Sequence, residues 1–134
     1  MELKAVFWDL DGTLIDSEPL WHQGEIEIAH ANGGEWNEDD GWAGSGTPVP
    51  DVARRMIAKG CTLSVEQIDV QLKRYVYESE LKGLPWIDGV LDVLHSLKDA
   101  GVPSMLVSTS PRPIVENVMR QSEGLFAGYV CGDD

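Results

Sequence analysis

Three short apolar runs limit what this chain can fold into. Ala5-Val6-Phe7-Trp8, Met105-Leu106-Val107 and Tyr129-Val130-Cys131 are its β-prone segments, and each runs at once into polar or glycine-containing sequence that reads as a turn. The sequence between them is helical in period, so strands alternate with helices, the pattern of a parallel α/β sheet. The interval between the first two strands is far longer than one crossover helix needs. Right-handed crossovers put any site of such a sheet beyond the carboxyl ends of its strands, where the loops at Asp9 and Ser108 lie.

The long interval divides into several helices. Leu20, Trp21, Gly24, Ile28 and Ala31 share one helical face, and Gly33-Gly34 ends it. Residues 35–46 read as an acidic, glycine-rich loop. Thr47 then stands where a cap belongs, with Pro48 at the first helical position and Val49, Val52, Ala53, Met56 and Ile57 as the buried stripe up to Gly60. Ser64 and Gln67 have the spacing of a capping box and open a helix whose Val65, Ile68, Leu72 and Tyr75 face one side, towards Lys82. Gly83-Leu84-Pro85 breaks it. A further helix starts at Asp88, with Val90, Leu91, Leu94 and Leu97 on one face, and stops at Gly101 and Pro103; Ile114, Val115, Val118 and Met119 mark the last. The expected organisation is an α/β core of residues 1–16 and 85–134, with residues 17–84 as an inserted helical domain.

Composition narrows the partners. Among 134 residues, 23 acidic side chains against 10 basic ones give a formal charge of −13, which repels nucleic-acid backbones and anionic membranes. No basic cluster reverses that balance, no apolar run reaches 18 residues, and the N-terminus lacks the form of a secretory leader. The expectation is a soluble cytoplasmic protein without nucleic-acid or membrane partners. Cys61 and Cys131 read as reduced structural thiols, and His22, His30 and His95 are too scattered for a metal or triad signature.

Chemistry concentrates in Asp9-Leu10-Asp11-Gly12-Thr13. Two carboxylates two residues apart at a strand exit can divide the work of attack and proton handling, and a carboxylate nucleophile suits phosphoryl transfer. Carboxylates facing a phosphate need a cation between them, which points to Mg²⁺ on oxygen ligands. Taken alone, the same two residues read as turn and cap residues.

Directly after an N-terminal apolar strand, this motif resembles the first motif of the haloacid dehalogenase-like hydrolases. Leu14-Ile15-Asp16-Ser17-Glu18-Pro19-Leu20-Trp21 extends the resemblance to the sugar-phosphate phosphatase and β-phosphoglucomutase branch. It implies a Rossmann-like parallel sheet with an inserted helical cap. It further implies that Asp9 is phosphorylated, that Asp11 is the general acid/base, and that the Asp9 side chain with the Asp11 backbone carbonyl holds Mg²⁺. Ser108, in Met105-Leu106-Val107-Ser108-Thr109-Ser110, looks like the second motif, so that Leu10, Ser108 and Thr109 are the implied phosphate contacts. Ser110 before Pro111 also fits a helix cap.

The implied cap closes over the core and selects substrate, with hinges near Asp16-Ser17 and Gly83-Leu84-Pro85. Glu18, Trp21, His22, Gly44 and Thr47 are its candidate substrate contacts; Trp21 also reads as core, and Arg54 and Arg55 as solvated charges. The family's third motif, a basic residue, and its acidic fourth motif belong after Gly132-Asp133-Asp134, so these terminal acids are not read as a metal site. An incomplete core of this kind leaves the first strand with an open edge, from which a homodimer is the expectation. The implied activity is Mg²⁺-dependent hydrolysis of a small phosphate monoester. Phosphosugar isomerisation, or a non-catalytic binding module, is the alternative.

Overall fold

The computed structural model describes residues 2–134 and contains three strands and six helices. β1 (Val6–Trp8), β2 (Ser104–Val107) and β3 (Gly128–Val130) form a parallel sheet in the order β1-β2-β3. Val6 pairs with Ser104, Trp8 with Leu106, and Leu106 with Tyr129. The helices are α1 (Glu18–Ala31), α2 (Glu38–Ala43), α3 (Val49–Ala58), α4 (Val65–Leu81), α5 (Val90–Asp99) and α6 (Arg112–Gln121). The parallel α/β architecture is the one the alternation predicts.

The chain forms two compact units: residues up to Ser17 with Glu80–Asp134, and Glu18–Ser79. In the α/β unit, Leu10, Leu14, Leu94, Leu106, Val115 and Val118 are fully buried, and Trp8 Nε1 donates to Ser104 Oγ at 3.1 Å. The opposite rows of the sheet are bare: Phe7 is 76% exposed, Val130 46% and Val107 41%. These residues share one face because strand side chains alternate and the register sets Phe7 beside Met105 and Val107 beside Val130. β1 is an edge strand. The segments leading out of and back into this unit pair with each other, Ile15 bridging Trp86 and Asp16 N–H donating to the Pro85 carbonyl.

The helical unit packs around Ile28, Ala29, Trp36, Val52, Met56, Ile68 and Leu72. Its α1 is rotated from the expected face: His22, Glu25 and Ala29 turn inward while Ala31 is exposed. The driving contact is Trp36, nearly fully buried, whose indole N–H donates to Glu25 Oε1 at 3.2 Å and whose ring carries the Arg55 guanidinium. Gly24 lets α4 approach, because a Cβ there would sit 2.7 Å from the Tyr75 ring and 2.9 Å from Leu72.

Three local expectations are corrected. The acidic segment read as a loop holds α2, whose capping box joins Asn37 and Asp40. Thr47 is not the cap of α3; Pro48 occupies that position, and the Thr47 hydroxyl donates to the Gly44 carbonyl. β3 begins one residue early, so Cys131 lies beyond it. The Ser64–Gln67 box is present as expected, with both of its hydrogen bonds. Cys61 and Cys131 are free and buried, and no helix among the described residues is long and apolar enough to cross a membrane.

Candidate active site

β1 ends at Trp8, and the next residue, Asp9, carries an exposed carboxylate that takes no hydrogen bond from any described residue. The chain then turns tightly: the Leu10 carbonyl accepts the N–H groups of Thr13, Leu14 and Ile15, while Gly12 N–H reaches the Ile15 carbonyl. None of these backbone bonds ends on the Asp11 carbonyl, which leaves that oxygen open. Leu10 anchors the turn with a fully buried side chain.

Asp11 is held at two points. Its Oδ1 accepts from Ser17 Oγ and its Oδ2 from Ser110 Oγ, each at 2.6 Å, short as charge-assisted bonds are. Ser110 comes from the loop after β2, so this one bond ties the exits of β1 and β2 together. In the same loop Ser108 continues the sheet through its N–H to the Val130 carbonyl, and its hydroxyl accepts from Ser110 N–H at 3.0 Å. Ser108 is buried and Thr109 exposed.

Ser110 therefore does not cap α6. That helix begins after Pro111 without a cap bond from that residue, and the N–H of Arg112 donates instead to Asp133 Oδ2 at 2.6 Å. Asp134 pairs with the Arg112 guanidinium and accepts from Cys131 N–H, so both terminal acids serve the start of α6. Gly132 is pressed against the Ser108–Ser110 loop. A Cβ there would stand 2.0 Å from the Thr109 carbonyl oxygen, and Gly132 N–H donates to the Ser110 carbonyl at 2.8 Å.

Beneath Asp11 lies a cluster that sequence reasoning missed. Glu80, in the last turn of α4, is fully buried, and neither carboxylate oxygen has a partner. Burial first, then the charge of Asp11, pushes its pKa up to about 8. Its carbonyl accepts from Gln121 Nε2 at 2.8 Å; the same amide reaches Asn117 Oδ1, and Asn117 Nδ2 is buried without a partner. Gly132 and Glu80 carry no sequence signal, because each acts on residues distant in the chain; Ser17 and Ser110 read in the sequence as hinge and helix-cap residues, not as the partners of Asp11.

The structure thus brings Asp11, Ser108 and Ser110 into one bonded group, with Asp9 and Leu10 on the adjoining turn. The remaining candidates lie in the helical unit. Glu18 and His22 meet Ser45 there, Trp21 is half-buried against the core as a packing residue, and Gly44 lies against Arg55. Thr47 is exposed, Arg54 pairs with Asp51 at the surface, and Arg55 stacks on Trp36. Burial pushes Glu25 up to about 7 against the opposing hydrogen bond from Trp36.

Known proteins share this fold. The family model for haloacid dehalogenase-like hydrolases matches residues 3–134. Validoxylamine A 7'-phosphate phosphatase of Streptomyces hygroscopicus subsp. limoneus is 24% identical over 116 residues, covering 87% of this chain and 54% of that protein. N-acetylmuramic acid 6-phosphate phosphatase of Pseudomonas aeruginosa is 30% identical over 137 residues, with 90% and 54% covered. A crystal structure from Thermotoga maritima described as a β-phosphoglucomutase superposes with a TM-score of 0.78 at 25% identity, over 97% of this chain and 62% of that one. The chain spans about half the length of the curated relatives it matches. A family match over nearly every residue, on a fold these structures share, makes the chain a member of the haloacid dehalogenase-like hydrolases.

Proposed function

We propose that the chain carries the nucleophile and proton-transfer residues of a Mg²⁺-dependent phosphatase acting on a small phosphate monoester, a sugar phosphate by analogy with its relatives. The observation that carries this reading is the contrast between two carboxylates on one turn: Asp9 exposed and unpartnered, Asp11 clamped by Ser17 and Ser110. A free carboxylate can attack; a clamped one keeps its orientation towards a leaving group.

In the proposed reaction an Asp9 oxygen attacks phosphorus and the bond to the ester oxygen breaks. Asp11 takes up a proton when the phosphate ester binds, and the departing alcohol takes that proton from it, leaving an aspartyl phosphate on Asp9. Water then attacks that phosphorus, gives its proton to Asp11, and inorganic phosphate leaves with Asp9 regenerated. The Ser108 hydroxyl, whose oxygen already accepts from Ser110 N–H, keeps its own proton to donate to a phosphoryl oxygen. The backbone N–H groups of Leu10 and Thr109 are the further proposed contacts.

The donor set fits Mg²⁺. An unpartnered carboxylate on Asp9 and an open carbonyl on Asp11 are hard oxygens, and Mg²⁺ commonly takes one or two carboxylates and fills its shell with water and phosphate. No group of three or more His, Cys, Asp or Glu able to hold a metal occurs among the described residues, so two protein oxygens are the proposed share. Bound there, the ion would neutralise phosphoryl charge. The Glu18–Ser79 unit is proposed as the substrate-selecting cap, and free Cys61 and Cys131 suit a reducing cytoplasm. Hydrolysis of an aryl phosphate by this chain is expected to need Mg²⁺ and to vanish in Asp9→Asn. Turnover equal in the parent chain and in Asp9→Asn would sink the reading.

A further inference from the structure

In the helical unit three polar side chains converge on one point. Glu18 and His22 stand one turn apart on α1, and Ser45 comes from the loop after α2. Glu18 Oε2 lies 3.0 Å from His22 Nε2, His22 Nε2 3.0 Å from Ser45 Oγ, and Ser45 Oγ 3.1 Å from Glu18 Oε2. Two donors at right angles about a metal are separated by about 1.4 bond lengths, so bonds of about 2.1 Å set neighbouring donors about 3.0 Å apart. The triangle has the dimensions of one face of an octahedron.

We propose that Glu18, His22 and Ser45 form a facial binding site for a divalent transition-metal ion of the Zn²⁺ class. All three residues belong to the Glu18–Ser79 unit. An imidazole nitrogen favours such ions over Mg²⁺ and Ca²⁺, the Glu18 carboxylate supplies charge, and the Ser45 hydroxyl is the weakest of the three donors.

The ring is pre-organised for the role. His22 is 4% exposed, its ring meets Trp42 edge-on at 4.6 Å, and Gly41 packs so tightly that a Cβ there would lie 2.8 Å from His22 Cγ. A ligating Nε2 needs its lone pair, which moves the ring proton to Nδ1. That atom is buried and unpartnered, so ligation leaves its N–H without an acceptor, a cost that the metal bond has to exceed. Glu18 is one-third exposed and Ser45 lies at the surface, which leaves the outer face of the site open to the ion and its waters.

The test is calorimetric titration of the metal-free Asp9→Asn chain with Zn²⁺ in excess Mg²⁺, repeated with Co²⁺ to read ligand type from its visible absorption. One ion per chain is expected. His22→Asn should abolish binding, Glu18→Gln should weaken it at least tenfold, and Ser45→Ala should weaken it less. Glu18 and Ser45 reach solvent, so their variants can be matched to the parent by circular dichroism, and they decide the matter even if His22→Asn does not fold. Absence of Zn²⁺ binding, or binding that Glu18→Gln leaves unchanged, would overturn the proposal.

Discussion

Both carboxylate oxygens of Asp11 accept hydroxyl hydrogen bonds, from residues 6 and 99 positions away in the chain. Hydrogen bonds to a charged group contribute about 1.5–3 kcal/mol each, so Ser110→Ala and Ser17→Ala should each lower stability in urea by about 2 kcal/mol. Both should slow turnover more than they weaken phosphate binding, because only the orientation of Asp11 is lost. Glu80 works in the opposite sense. Its carboxyl titrates near 4.5 when unfolded and near 8 when folded. Below pH 4.5 it is protonated in both states. Between pH 4.5 and 8 the unfolded chain gives up a proton that the folded chain keeps, so stability falls as pH rises, and the loss is complete above 8. Glu80→Gln should therefore match the parent at pH 4 and exceed it at pH 8.5, by an amount on the order of a few kcal/mol; urea melts at the two pH values measure the difference.

The loop after β2 depends on its neighbour after β3. Gly132→Ala would drive a methyl group into the Thr109 carbonyl and shift Ser110 away from Asp11, so a loss of about 3 kcal/mol or more is expected in thermal melts. Such dependencies mark the limit of what the sequence discloses. Elements whose signals are local were legible: the Ser64–Gln67 box, the α6 stripe at Ile114, Val115 and Val118, and the strand-to-turn switch at Trp8 and Asp9. The α2 box was missed because Asp40 stands where Glu or Gln usually signals it, within an acidic run that reads as loop. The face of α1 was misjudged because its periodicity counts His22 and Glu25 as polar, whereas Ser45 and Trp36 give them partners indoors. Asp9, Asp11 and Ser108 stand out in the sequence through a motif, whereas Ser110 and Gly132, which hold Asp11 and the loop after β2, become meaningful only once β2 and β3 lie side by side.

Among the described residues, the sheet has a bare apolar face and an unpaired edge at β1. Exposed edges pair with other chains, and the −13 charge opposes that pairing until salt screens it. Sedimentation velocity should show self-association that grows with concentration and ionic strength, and Phe7→Lys should suppress it without lowering the melting temperature. A parent chain that sediments as a monomer throughout would remove the dimer expectation. The same strand has a history as well as an edge. Trp8 reaches its hydrogen-bond partner Ser104 across 96 residues of sequence, and closing so wide a loop carries an entropy cost that no early local contact repays. Every helix of the Glu18–Ser79 unit is synthesised before that partner exists. β1 is thus made long before its partner and, while the intervening residues emerge, is an apolar segment in waiting. The interval is when a chaperone or a stray partner has its best chance to seize it.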